Sequence, residues 1–536
     1  MAHSLSIAMS SVQINAVQLR EILSDGAEVA LLDLREEGDF TQGHLLLAAS
    51  LPIGRLELDL LWRVPLKSTR IILVGGDAQR IQRALHLLRC VEYGRVSVLA
   101  ASRAECEAAG LGWFSGKFVP SKAFGEVVET AKKTPHISTQ ELIALKSKGV
   151  DLLMLDSRTP EEFVDFSLPG ALSCPGAELA LRVPEVIRQN SVVLVNCAGR
   201  TRSIIGAQSL INAEIACPVF ALENGTMGWH LDGHDLQRGH LAMLEEVPAP
   251  TQLQASRATA RKLLERGGGR IISWSQLQAD LRDQGVTTYF YDVRLPGAYL
   301  QAAFPGARNA PGGELVQSTD FFAPVRHARI VLADTDLVQA PMTAHWLRQM
   351  GWQADVLDPA TAPALEAAPP QRAHWPQAPA SVESIAPHEL QQLQPDPRLA
   401  VIDCANSIAF RRGHIPGAFF CARSALAEGL KDLPAEVTTL VFTAGDGAMA
   451  RFAAADAQAL GWHAKCLIGG TPAWLELGLA LEQGAVRQLS APNDIWYSPY
   501  EVAPHLQKQA MREYIDWEVG LAQRVATEPG IHFSVL

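Results

Sequence analysis

At 536 residues the chain is too long for one hydrophobic core, so several domains are expected. Its 46 basic and 57 acidic residues leave a net charge of −11, and no basic run carries interleaved aromatics, which argues against a nucleic-acid partner. No apolar span approaches membrane-crossing length, and the opening MAHSLSIAMSSVQI lacks the basic-then-apolar pattern of a signal peptide, so a soluble cytoplasmic protein is expected.

In chain order, one pattern recurs four times. An apolar strand ends in Asp, a short polar turn follows, and an aromatic stands seven residues after the Asp. The copies are VALLDLREEGDFTQGH, DLLMLDSRTPEEFVDF, TYFYDVRLPGAYLQAA and LAVIDCANSIAFRRGH. Asp33, Asp156, Asp292 and Asp403 anchor them, and Phe40, Phe163, Tyr299 and Phe410 are the aromatics. Arg35, Arg158 and Arg294 lie two residues after the Asp, a place that Ala405 takes in the fourth copy.

Each copy continues with a second apolar strand (RIILVGG, SVVLVNC, RIVLADT, TLVFTAG), a helical stretch and a third strand (VSVLA, CPVFAL, ADVLD, AKCLI). This alternation marks an α/β protein with mostly parallel sheets and helices on both faces. The anchoring aspartates are 111 to 136 residues apart, a period of duplicated domains and not of a solenoid. The expected domains are 14–124, 131–245, 268–360 and 381–485. TQLQASRATARKLLER (251–266) reads as a helix stopped by the glycines 267–269, and 361–380 as a proline- and alanine-rich linker. A helical tail, 491–536, carries Met511, Tyr514, Ile515 and Trp517 and should pack on a neighbouring domain or subunit.

The chemistry concentrates in SVVLVNCAGRTRSIIGAQSL, residues 191–210. It reads as a strand, a tight loop bearing Cys197, Arg200 and Arg202, and a helix opening near Ser203. First-turn amides without intrahelical acceptors make such a junction an anion site. A cysteine there is expected to favour its thiolate, and the two arginines to offer forked donors to an oxyanion substrate. At the corresponding position the other copies have Gly76, Asp334 and Ala444, in loops that read GGDAQR, DTDLVQ and AGDGAM. They supply no thiol, and their acidic residues oppose an anion. Arg182, four residues after Glu178, reads either as half of a helical ion pair or as a further contact for an anionic donor in the Cys197 pocket. The eight cysteines have no CxxC pair, and His230 and His234 lie four apart in a Gly-rich loop. Neither a disulfide framework nor a metal site is expected, and no cofactor.

These motifs resemble the rhodanese (sulfurtransferase) family. Asp156, Arg158, Glu162 and Phe163 match the opening motif, and Gly413, His414, Ile415, Pro416, Gly417 and Ala418 the segment that follows it. Gly43, His44, Phe304, Pro305, Gly306 and Ala307 match it piecewise. Gly469, Gly470 and Trp474 match the closing motif, with a looser version in Asn224, Gly225 and Trp229. The resemblance covers nearly the whole chain and implies four tandem rhodanese-like three-layer domains, only the second of them active. It implies Cys197 as the nucleophile that carries sulfur as a persulfide, and the amides from Ala198 through Gly199 and Thr201 to Arg202, beside Ser203, as the cradle. Arg202 would hold the donor's anionic group. Arg200 stands where many members have glycine. The implied partners are a small anionic sulfur donor and a thiol acceptor such as glutathione or a protein cysteine, with a homo-oligomer left open. A cysteine phosphatase needs its arginine one residue further on, where Ser203 stands. A multi-domain binding scaffold with vestigial sites is the alternative, favoured if a partner binds with an affinity that Cys197→Ser leaves unchanged, and the enzyme reading falls if Cys197 is buried or unreactive.

Overall fold

The computed structural model describes residues 12–369, 375–376, 379, 381–445 and 447–536. The first eleven residues, much of the expected linker (370–374, 377, 378 and 380) and Asp446 of the fourth loop lie outside the described residues.

Each copy of the repeated pattern builds a parallel sheet with the same strand order. In the second module the order is Leu172–Ser173, Leu152–Asp156, Val192–Asn196, Val219–Leu222 and His136–Ile137. The central strand Val192–Asn196 pairs with Leu152–Asp156 on one side and Val219–Leu222 on the other. It is buried along nearly its whole length, which explains its unbroken apolar run. Its carboxyl end, where Cys197 follows, is where open α/β sheets bind their ligands.

Each anchoring Asp closes the strand beside this central one. Asp156 accepts the Arg158 amide at 3.0 Å and is gripped by the Arg158 guanidinium, whose Nη2 also donates to the Phe166 carbonyl. Asp33–Arg35 and Asp292–Arg294 repeat the arrangement. In the fourth module Ala405 offers Asp403 no guanidinium; its backbone amide is the donor among the described residues, and burial pushes the carboxyl up to about 7. The pair therefore ties a strand end to its following turn.

The modules are not beads. Val325–Arg326 of the third module adds an antiparallel strand to the first sheet, against Val29–Ala30. The helix Pro250–Arg266, longer by one residue than its expected span, packs against Leu179–Val186 and Gln339–Gln349 and so joins the second and third modules. Val119–Lys132 of the first module crosses Thr201–Asn212 of the second. Gly125 permits that crossing, because a Cβ there would lie 2.9 Å from Thr201 Cγ2. One apolar core runs through residues of several modules, among them Leu32, Phe124, Ile204, Trp346 and Phe452. Among the described residues no helix is long and apolar enough to cross a membrane.

Candidate active site

The helix after the Cys197 loop begins at Thr201, two residues earlier than expected, with Arg200 at its N-cap. Its opening amides are therefore drawn into the loop itself. The loop is held from beneath by Asn224 and Gly225. Thr226 and Met227 amides donate to the Cys197 and Ala198 carbonyls at 2.8 and 3.0 Å. A Cβ on Gly225, whose φ is +57°, would lie 2.3 Å from the Cys197 carbonyl oxygen, so only glycine lets the two segments meet. Gly470 stands in the same relation to Ala444 in the fourth module, again at 2.3 Å.

Cys197 is 2% exposed, and its thiol lies 3.5 Å from the Ser203 hydroxyl, which itself donates to the Arg200 carbonyl. Burial pushes the thiol above the ordinary cysteine value. Arg202 and the Ser203 hydroxyl and amide pull it back, while Glu518 adds to the rise. The expectation of a favoured thiolate is thus corrected: desolvation outweighs the loop's positive field in the resting protein. The cysteine is nonetheless not sealed in packing. It lines a cavity of about 350 Å³ together with Gly199, Arg202, Lys122, Tyr500 and Tyr514.

The two loop arginines are not free forks. Arg200 donates to Glu126 at 2.8 Å and to Glu129, both on the first module's crossing helix, and to Asn224. Arg202 is shared between Glu162 at 2.6 Å and Glu314 of the third module at 2.8 Å. Glu162 also closes the N-terminus of helix Pro160–Asp165 in a capping box with Thr159. Burial raises Glu162, but Arg202 and Arg158 outweigh it and hold the carboxyl at about 2. On Glu314 burial prevails over Arg202, and its carboxyl is raised. The second correction is therefore one of charge: both arginines arrive already neutralised.

Arg182 is the third. It pairs with Glu178 at 2.7 Å and donates to the Glu246 carbonyl, and it does not line the Cys197 cavity. Ala198, Gly199 and Thr201 do line it, while Ser203 lies fully buried beneath the thiol.

The tail supplies what sequence reasoning did not assign. Helix Gln507–Val519 lies on the loop. Glu518 accepts the Thr201 hydroxyl at 2.5 Å and pairs with Lys122 at 3.5 Å. Tyr514 bonds Lys122, and burial pushes its phenol up to about 12. Tyr500 meets the Thr226 hydroxyl at 2.7 Å. Tyr514 and Trp517 signalled a packed helix face. Nothing local marked Glu518, because its partners lie in other modules.

A buried cysteine at the carboxyl end of a central parallel strand, ahead of a helix N-terminus, in a sheet of this strand order, defines a rhodanese-like protein. A family model for the rhodanese-like domain matches residues 138–232 and 386–477. Among solved structures, thiosulfate sulfurtransferase from Pseudomonas aeruginosa is 39% identical, with a TM-score of 0.90, over 98% of this chain and 100% of that one. A rhodanese-like domain protein from Staphylococcus aureus is 20% identical over 19% of this chain and 98% of its own, with a TM-score of 0.17. A Rhodopseudomonas palustris protein of unknown function, described as a possible tyrosine phosphatase, is 24% identical over 20% of this chain and 88% of its own, with a TM-score of 0.17. No curated protein matches. The chain belongs to the rhodanese-type sulfurtransferases and is an enzyme of sulfur transfer.

Proposed function

We propose that the protein moves sulfane sulfur from thiosulfate or an organic persulfide, through a persulfide on Cys197, to a thiol or to cyanide. The observation that carries this is the position of Cys197, at the end of the central strand and open to the 350 Å³ cavity. In the first step Cys197 Sγ bonds to the outer sulfur of thiosulfate. The donor's S–S bond breaks with its electron pair going to sulfite, and the thiol proton is lost to sulfite or solvent. The helix amides and the Ser203 side stabilise charge on the persulfide. In the second step an acceptor thiol bonds to the outer sulfur, and Cys197 leaves as the thiolate. With cyanide the product is thiocyanate.

In this reading the chain holds four rhodanese-like domains, 14–124, 131–245, 268–360 and 381–485, with the tail 491–536 laid over the second. Only the second is active. The loop positions Gly76, Asp334 and Ala444 offer no thiol, and Asp334 spends its carboxylate on the amides of Asp336, Leu337, Val338 and Ala340. The helix that runs from the first domain into the second, and the third domain, hold the loop, lending Glu126 and Glu129, and Glu314, to its arginines. All eight cysteines are free, which fits action in a reducing cytoplasm.

The test is intact-protein mass after thiosulfate, on wild type and on Cys197→Ser. Wild type alone should gain one sulfur atom and lose it to cyanide as thiocyanate. If thiosulfate, glutathione persulfide and mercaptopyruvate all fail to add sulfur to wild type, the Cys197 persulfide reading falls and the scaffold reading takes its place.

A further inference from the structure

The five cationic side chains that line the cavity, Lys117, Lys122, Arg200, Arg202 and Arg412, each stand within ion-pair distance of a carboxylate. The match for Lys122 is Glu518 itself, so loss of that one carboxylate would leave Lys122 and the helix N-terminus unopposed beside the loop. One of those carboxylates is placed unlike the rest. Glu518 is 1% exposed and rests on the loop: a Cβ on Gly199 would lie 3.1 Å from its Oε2. Its Oε1 takes the Thr201 hydroxyl at the first helical position, while Oε2 is buried with no protein partner. A buried carboxylate with an unsatisfied oxygen is costly to keep, and here it faces the helix N-terminus that would otherwise draw an anion.

We propose that Glu518 sets the charge selectivity of the sulfur site, disfavouring dianionic carriers such as thiosulfate and favouring carriers with a cationic or neutral group beside the reacting sulfur, aminothiols and their persulfides foremost. This rests on Cys197 being the sulfur carrier. The effect acts through space from the cavity wall, which Glu518 lines although it is only 1% exposed. A charge held in a cavity wall is screened less by salt and water than one on the open surface. A carrier with an ammonium group gains from Glu518, and a sulfonate or a second thiosulfate charge loses. The determinant thus comes from the tail and not from the domain that bears the cysteine, and discrimination works by repulsion as much as by attraction.

The experiment uses the full chain as wild type, Glu518→Gln and Glu518→Asp. Cys197 is loaded with sulfur from thiosulfate, the donor is removed, and single-turnover transfer to cysteamine and to 2-mercaptoethanesulfonate is timed. The ratio of the two rates, taken on one preparation, cancels the fraction of folded enzyme, and its change between variants cancels the intrinsic reactivity of the thiols. Glu518→Gln should lower the cysteamine-to-sulfonate ratio roughly tenfold and raise kcat/KM for thiosulfate by a similar factor, while Glu518→Asp keeps the wild-type ratio. An unchanged ratio in a Glu518→Gln protein that still loads sulfur overturns the proposal, as does an equal shift in Glu518→Asp, which would trace the effect to packing. Failure of wild type to load any sulfur sinks the reading of Cys197 instead.

Discussion

Cys197 sits under two opposed influences, and their balance decides how the resting enzyme behaves. Burial raises the thiol, Arg202 and Ser203 lower it, and Glu518 raises it again, with the net result above the ordinary value. A thiol shifted that way gains its nucleophilic fraction only as pH rises through and past the ordinary cysteine range. The rate of Cys197 alkylation by iodoacetamide, followed by mass, should therefore keep climbing beyond pH 9. In Glu518→Gln the whole profile should move to lower pH, since one raising influence is gone. A plateau reached by pH 7 in wild type would show that the loop amides outweigh desolvation.

Strand, turn and loop were legible because each is dictated by near neighbours in the chain. The four aspartates all end strands, and the three arginines that follow them turn back on them, since a charged pair two residues apart needs nothing from elsewhere to form. The closing glycines were legible as a motif, and their reason is steric: Gly225 and Gly470 each let a backbone lie against the carbonyl of the loop's first residue. What was not legible lies across modules. The partners of Arg200 and Arg202 come from Glu126, Glu129 and Glu314, and the cover from Tyr514 and Glu518, none signalled by local periodicity or spacing. Arginine alone reads as available charge, and only packing reveals that it is already matched. Gly225→Ala tests the steric argument. Its methyl must push the Cys197 carbonyl away from a left-handed backbone, at a cost of about 1–3 kcal/mol. The expected outcome is a lower melting temperature and a persulfide-forming rate reduced at least roughly tenfold. A variant that melts earlier but reacts at the wild-type rate would separate stability from loop placement.

At the scale of the whole molecule the cavity belongs to no single module, so its closure depends on docking. The fourth module meets the first through Arg423, which is buried and reaches Glu57 at 2.8 Å, the Gly54 carbonyl at 2.9 Å and its own module's Asp456 at 2.8 Å. Glu57 is buried as well, with Arg83 standing further off at 3.5 Å. Removing one member of a buried pair leaves the other desolvated and unmatched, which costs about 3–5 kcal/mol. Arg423→Ala should lower the urea midpoint by a corresponding amount. Replacing both partners, Arg423→Met with Glu57→Gln, should recover much of it, because the unpaired charge is then gone. The same fourth module brings Arg412 to the cavity and Arg411 to Glu501 in the tail segment. Loosening its dock in Arg423→Ala should therefore quicken iodoacetamide labelling of Cys197 below the unfolding transition. If the midpoint falls while labelling of Cys197 is unchanged, the fourth module adds stability without closing the site, and the cavity is held by the first and third modules and the tail.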